Sequence, residues 1–281
     1  MIHSHLAESH GRVWAPVARA SFSPGLRSLY GFVQALPALR GIARNLVARV
    51  LPPGSRVWMP ARAGLARGLW LNVDPRYEYD YVEGPYEPIL QQVLAEQLHE
   101  GATFYDVGAH IGFFSLIAAR LVGESGAVFA FEADPENARR IKQHISKNAP
   151  AQIEVSPVAV WSQSGNIRFQ RGSEVSSHNT GSIVTGRDAG ATIEVEAVTL
   201  DEFAENHRAP TLIKVDVEGG EIHVLRGAVR LFSNTRPALF CEVHNQKASG
   251  LVESYLAQWR YSLRWLTGEA DSRRHLLAQP S

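Results

Sequence analysis

The chain has 281 residues, enough for one or two domains, and its 45% hydrophobic and 20% charged content supplies ample material for a folded core. Its 28 basic and 28 acidic side chains balance, and no basic stripe runs through the core region, which argues against a nucleic-acid substrate. A single cysteine, Cys241, excludes an internal disulfide and a cysteine-based metal centre; its apolar neighbours Leu239, Phe240 and Val243 make it a buried core thiol.

The first residues lack the basic start and apolar run of a secretory leader. The uncharged stretch from Ser28 to Leu39 is too short to span a membrane, so a cytoplasmic enzyme is expected. Residues 1–55 read as a helical N-terminal extension. Within it Arg40, Arg44 and Arg49 interleave with Leu39, Ile42, Leu46 and Val50. One basic and one apolar face suit packing on the main domain, or peripheral membrane contact through residues 27–50. Residues 56–100 form a cap: an edge strand over Trp70–Val73, a run rich in tyrosines and acids from Glu78 to Pro88, and a helix over 89–99.

From 101 to 281 short apolar strands alternate with helices. Strands are predicted over 103–107, 128–131, 153–160, 167–170, 192–198, 212–215, 238–243 and 261–266, the last closing the chain. Helices are predicted over 113–122, 135–148, 221–232 and 252–259. The pattern is that of an α/β, Rossmann-like fold: a mostly parallel sheet with helices on both faces. The polar stretch 171–191 is long for a compact domain and reads as a lid over the site or an exposed hairpin.

The most informative stretch is Phe104-Tyr105-Asp106-Val107-Gly108-Ala109-His110-Ile111-Gly112-Phe113-Phe114, between a strand and a helix. Gly108 and Gly112 leave the turn bare, so a ligand can approach its backbone, Ala109 and His110 included. The helix behind offers free N–H groups and the positive end of its dipole. A dinucleotide fingerprint reads G-x-G-x-x-G. Here the third glycine is missing and Asp106 stands two residues before Gly108. A carboxylate there is poorly placed for a pyrophosphate and suits a cationic ligand, such as the amino group of a methionine moiety. Glu132 follows at the end of the next strand, 20 residues beyond Gly112, with Ala133 beside it. An acid at that place accepts both hydroxyls of a ribose. Ala159 and Val160 would line an adenine pocket, and Trp161 would stack there or sit in the core.

Two more strand ends carry polar density: Lys214-Val-Asp216-Val-Glu218-Gly-Gly-Glu221 and Glu242-Val-His244. In a doubly wound sheet Asp216, Glu218, Glu242 and His244 would converge on the same rim. His244 titrates near neutrality and Asp216 would hydrogen-bond an acceptor, so either would take a hydroxyl proton; Lys214 would orient carboxylates or bind an anion. Asp216, Glu218 and Glu242 would also suit Mg²⁺, but Lys214 competes as a positive charge, and no metal is expected. Glu218 and Glu221 also favour the start of the helix that follows.

The stretches Asp106–Gly112, Phe131–Pro135, Leu200–Phe203, Ile213–Glu221 and Glu242–His244 resemble the FkbM family of methyltransferases, over about residues 85 to 266. Tyr86-Glu87-Pro88 also fits its pattern, whereas His110 stands where the family commonly has Asn. The resemblance implies a class I methyltransferase fold of seven strands, the last antiparallel. It implies S-adenosylmethionine as cofactor and O-methylation of a sugar or another small natural-product acceptor. Asp106, Gly108 and Gly112 would then face the cofactor, Glu132 its ribose, and Asp216 and Glu218 the reacting edge; Glu87 and Glu242 are candidate substrate contacts. N-methylation of a small molecule stays open. A nicotinamide-dependent oxidoreductase is opposed by the missing glycine, and a non-catalytic nucleoside-binding module by the crowded acid and histidine edge.

Overall fold

The computed structural model describes residues 54–171, 181–183, 192–244, 246–268, 271 and 273–281. The N-terminal extension expected over 1–55, with its 27–50 face, falls almost wholly outside them. Residues Arg56–Ser281 form one unit. It opens with a hairpin of β1 (Val57–Pro60) and β2 (Trp70–Val73), followed by α1 (Asp80–Glu83) and α2 (Pro88–Gln97). Then come β3 (Thr103–Val107), α3 (Phe113–Val122), β4 (Ala127–Phe131), α4 (Pro135–Asn148) and β5 (Ile153–Ser156). An excursion follows through β6 (Ala159–Val160), β7 (Gly165–Gln170), β8 (Ser182–Ile183) and β9 (Thr192–Val198). The chain returns by α5 (Leu200–Asn206), β10 (Leu212–Val215), α6 (Glu221–Arg226), β11 (Ala238–Val243), α7 (Gln246–Gln258), β12 (Tyr261–Trp265) and β13 (Arg274–Pro280).

The main sheet runs β12-β13-β11-β10-β3-β4-β5, parallel from β11 to β5, with β13 antiparallel to both its neighbours. This is the seven-stranded class I methyltransferase arrangement that the resemblance implied. Every residue of β3, β10 and β11 is buried, as strands covered on both faces require. Side chains alternate between two cores. Phe104 joins Leu90, Leu94 and Ile117 under α2 and α3, while Tyr105 and Val107 join Val224, Leu225 and Val252 under α6 and α7.

Local signals explain the helix starts. Asp134 caps α4 by accepting from the Glu136 N–H at 2.8 Å, with Pro135 in the first turn. The buried side of α4 then ties the hairpin down. Arg140, fully buried, donates to both oxygens of Glu78 at 2.8 and 2.7 Å and to the Asn72 carbonyl at 2.9 Å. His144 Nε2 accepts from the Asn72 N–H at 2.8 Å, which places the ring proton on Nδ1, donated to the Ile111 carbonyl at 2.8 Å. Burial pushes this imidazole down to about 4.

Three elements differ from expectation. The strand region 153–160 breaks at Pro157: β5 stays in the main sheet, while β6 pairs with β9 in a second, four-stranded sheet ordered β6-β9-β7-β8. The helix expected over 221–232 ends at Arg226. Gly227 packs against the Trp161 carbonyl, and a π-helical turn over Leu231–Thr235 follows, its entry held by Asp201 accepting from Arg230 and Leu231 at 3.0 and 2.8 Å. The closing strand is β13, not β12. It inserts between β11 and β12 and buries Leu276, Leu277 and Ala278.

Candidate active site

Strand order reverses between β3 and β10: β4 and β5 extend the sheet one way, β10 and β11 the other. Their carboxyl ends open side by side at the point where wound sheets take ligands. Gly108 leaves β3 at φ 78°, and a Cβ on it would overlap the Asp216 carbonyl at the tip of β10. Gly112, at φ 77°, faces Ile141 of α4, whose nearest side-chain atom would lie 2.9 Å from a Cβ there. Gly108 and Gly112 therefore make room for β10 and α4. Gly108 also borders the two cavities that meet here, whereas Gly112 borders neither.

Two cavities meet at this turn. The first, of about 610 Å³, lies between Gly108, His110, Glu132, Ala133 and Val158–Val160 on one side and Asp216–Glu218 on the other. Phe169, Gly181 and Ile183 of the second sheet close it. The second, of about 460 Å³, is bordered by Tyr81, Tyr86, Glu87, Ala109, Phe114, Lys214 and Arg273. Gly108, His110, Asp216 and Glu218 border both. Of the expected lid, Arg171 and residues 181–183 are described, and Gly181 and Ile183 line the first cavity; residues 172–180 and 184–191 lie outside the described residues.

Glu132 clamps the turn to β4. Its Oε2 accepts from the His110 N–H at 2.7 Å and its Oε1 from the Asp134 N–H at 2.8 Å. Burial pushes its carboxyl up to about 7 although both amides favour the charged form. His110 itself is left-handed at φ 52°, with ring Nδ1 3.0 Å from the Tyr81 hydroxyl.

Asp106 lies behind the turn and borders neither cavity. It is fully buried, with Oδ2 accepting from Ser115 at 2.6 Å and Oδ1 3.1 Å from Lys214 Nζ. Lys214 Nζ also donates to the Gly108 carbonyl at 2.9 Å and sits 3.5 Å from Asp216 Oδ2. Burial works against the ammonium charge, but Asp106, Asp216 and Glu87 together raise its pKa. Asp106 and Lys214 thus form a buried ion pair that props the turn from beneath.

His244 is ringed by carboxylates. Its Nδ1 lies 2.6 Å from Glu221 Oε1, and its Nε2 lies 3.3 Å from Glu218 Oε2, 3.3 Å from Glu242 Oε1 and 3.8 Å from Asp216 Oδ1. Burial works to lower its pKa, but Glu221, Glu242, Glu218 and Asp216 push it up to about 10. The contact with Glu221 holds the ring by Nδ1 and turns Nε2 toward the other three carboxylates. Glu242, 2% exposed, borders neither cavity, because His244, His275 and Arg273 surround it. Trp161 stacks on His223 at 3.8 Å instead of lining the adenine side. The residues that bring one ligand atom each within 4.8 Å of one another are Asp216, Glu218 and His244, a different trio from the Asp216, Glu218 and Glu242 read from the sequence.

Several lining residues had weak signals. The tyrosine-rich run before Pro88 pointed at Tyr81 and Tyr86 without assigning them. Glu87 adopts φ 44°, is pushed up to about 7 by burial, Asp216 and Glu242, and borders the second cavity. Arg273 and Phe169 carry no local pattern; Phe169 arrives from β7 and Arg273 from the turn just before β13.

A model of the methyltransferase FkbM domain matches residues 106–264, more than half of the chain. The hexuronic acid methyltransferase AglP of Haloferax volcanii is 27% identical over 178 residues, covering 63% of this chain and 66% of AglP. The chain thus spans just under two thirds of that relative's length. Among solved structures, an FkbM methyltransferase from Methylobacillus flagellatus superposes with a TM-score of 0.47 at 16% identity, covering 86% of this chain and 59% of that one. An S-adenosylmethionine-dependent O-methyltransferase from Thermotoga maritima gives 0.46 at 12% identity, covering 69% and 65%. The family match begins at Asp106, ends in β12 and takes in the tips of β3, β4, β10 and β11: the chain belongs to the methyltransferase FkbM domain family.

Proposed function

We propose that this chain transfers a methyl group from S-adenosylmethionine to a hydroxyl of a sugar or another small acceptor. The observation that carries the reading is the meeting of two cavities at Gly108, His110, Asp216 and Glu218. One suits a nucleoside, the other an acceptor, and their junction is where a group would pass. The first cavity fits the cofactor: Val158, Ala159 and Val160 offer an apolar wall for a base, and each Glu132 oxygen keeps a lone pair for a ribose hydroxyl beyond the amide it already serves. The backbone of Gly108, Ala109 and His110 would hold the methionine end, and the acids at the junction favour a positive sulfonium. Bound there, S-adenosylmethionine supplies an electrophilic methyl.

The chain's own residues do the positioning, the larger part of such catalysis. Asp216 and Glu218 would orient the acceptor oxygen, and Tyr81, Tyr86 and Phe114 would exclude water around it. Glu87, held near neutrality and facing the acceptor cavity, would take the hydroxyl proton. A sugar acceptor is supported by the likeness to AglP, whose name describes hexuronic acid methylation. Lys214 and Arg273 on the acceptor side would suit a carboxylate-bearing sugar.

Calorimetric titration with S-adenosylmethionine, S-adenosylhomocysteine and NAD tests the cofactor: both sulfur compounds should bind one per chain, and NAD binding with no response to either would reject the reading. Acceptor sugars screened with a ¹³C-methyl cofactor should give a methoxy carbon signal; an N-methyl signal would reject O-methylation.

A further inference from the structure

The geometry around His244 points to a cation. A carboxylate only accepts, so the 2.6 Å contact with Glu221 Oε1 fixes the ring proton on Nδ1. Nε2 then faces Glu218 and Glu242 at 3.3 Å and Asp216 at 3.8 Å. A charge-assisted hydrogen bond spans about 2.7–2.9 Å, so a proton on Nε2 reaches none of the three. Among the described residues neither Nε2 nor Glu242 Oε1 has a hydrogen-bond partner, and Glu242 is only 2% exposed with that oxygen aimed at the same point. Atoms that share one metal ion at about 2.0–2.2 Å sit roughly 3.0–3.4 Å from each other. Nε2 and Glu218 Oε2 have that spacing, Asp216 Oδ1 stands slightly wider at 3.8 Å, and one atom from each of the three lies within 4.8 Å of the others.

We propose that Asp216, Glu218 and His244 bind a divalent transition-metal ion at the junction of the two cavities, with Glu242 alongside and Glu221 orienting the imidazole. A carboxylate on the far nitrogen of a ligating histidine is the usual support of such a site. Two carboxylates and a neutral ring carry a charge of minus two, matching a dication. The nearby cations occupy other atoms: Lys214 faces Asp216 Oδ2, not Oδ1, and His275 faces Glu242 Oε2. Arg273 lies 3.6 Å from Glu242 Oε1, outside the three ligands. The imidazole favours Mn²⁺ or Zn²⁺ over Mg²⁺. The ion site stands on these side chains alone. Its role, binding an acceptor hydroxyl and lowering its pKa, rests on the methyltransferase reading.

Protein stripped with EDTA and dialysed is titrated with Mn²⁺ and Mg²⁺ by calorimetry. Wild type should take one Mn²⁺ per chain, at least tenfold more tightly than Mg²⁺, and its melting temperature should rise with Mn²⁺. His244→Ala and Glu218→Gln should each weaken Mn²⁺ at least tenfold. Should either variant fail to fold, pulsed electron paramagnetic resonance on Mn²⁺-loaded wild type decides: a coupling from a directly bound imidazole nitrogen is expected. No Mn²⁺ uptake by wild type, no nitrogen coupling, or unchanged affinity in both variants would overturn the site. S-adenosylmethionine titrated into the same samples separates the two readings. Cofactor binding without metal uptake removes only the ion, and metal uptake without cofactor binding removes only the methyltransferase.

Discussion

Lys214→Met should remove the support beneath the glycine turn and cost more stability than any other change to the Asp106–Lys214 pair. The ammonium is 2% exposed and holds the Gly108 carbonyl at 2.9 Å, Asp106 at 3.1 Å and Asp216 at 3.5 Å. Removing it leaves Asp106, at 0% exposure, with Ser115 as its remaining hydrogen-bond partner. Breaking one member of a buried pair in this way costs about 3–5 kcal/mol. Asp106→Asn alone leaves Lys214 its contacts with Gly108 and Asp216, so about 1–2 kcal/mol is expected. In the double variant no buried charge is stranded, and the amide oxygen that replaces the carboxylate still accepts from Ser115. The double should therefore recover about 2 kcal/mol relative to Lys214→Met. Urea unfolding of all four proteins at pH 7 and 25 °C supplies the cycle, read from midpoints at constant slope. A Lys214→Met cost below about 1 kcal/mol, or strict additivity, would refute the buried-pair account. Loss of S-adenosylmethionine affinity in Asp106→Asn at unchanged stability would instead return Asp106 to direct ligand contact.

Acid should act through His144. Its folded pKa of about 4 lies below the unfolded value near 6.5, so the unfolded chain binds the extra proton between those limits; stability is full above pH 6.5 and lost as pH falls toward 4. The loss works out at roughly 2 kcal/mol by pH 5, and urea midpoints of His144→Gln should lack this part of the pH slope; parallel wild-type and variant curves would refute it. Glu132→Ala should weaken S-adenosylmethionine at least tenfold by calorimetry, and an untouched affinity would cancel the ribose assignment. Gly108→Ala should cost more than about 3 kcal/mol, because its Cβ meets a backbone carbonyl, and Gly112→Ala about 1–2 kcal/mol, because Ile141 can shift. The reverse order in a thermal melt would contradict the fit of the turn.

Much of the site was legible because the ends of parallel strands are marked locally. Glu132 closes an apolar strand before an Asp-Pro cap, and Asp216 and Glu218 close another, so their shared rim followed from the winding of the sheet. Partners could not be read in the same way. A carboxylate two residues before a glycine looks alike whether it faces a ligand or a lysine, and Asp106 faces Lys214, which lies 108 positions later. The winding of the sheet puts His244 on one rim with Asp216, Glu218 and Glu242, but nothing local announces the carboxylate at its Nδ1. Glu221, which supplies it, reads locally only as a helix-start residue.

From the sequence alone came the alternation of apolar strands and helices, the capped start of α4, the bare glycine turn and the acids at the strand tips. Each rests on hydrogen bonds or side-chain periodicity within a few residues, which a linear string records. Tertiary structure alone decided that β13 slots between β11 and β12, that the chain breaks at Pro157 into a second sheet, that Gly112 serves Ile141, and that Glu221 holds His244 by Nδ1. Those outcomes depend on which distant segments share a boundary and how closely they pack, and the energy of such contacts belongs to pairs of residues that the chain brings together only once it has folded.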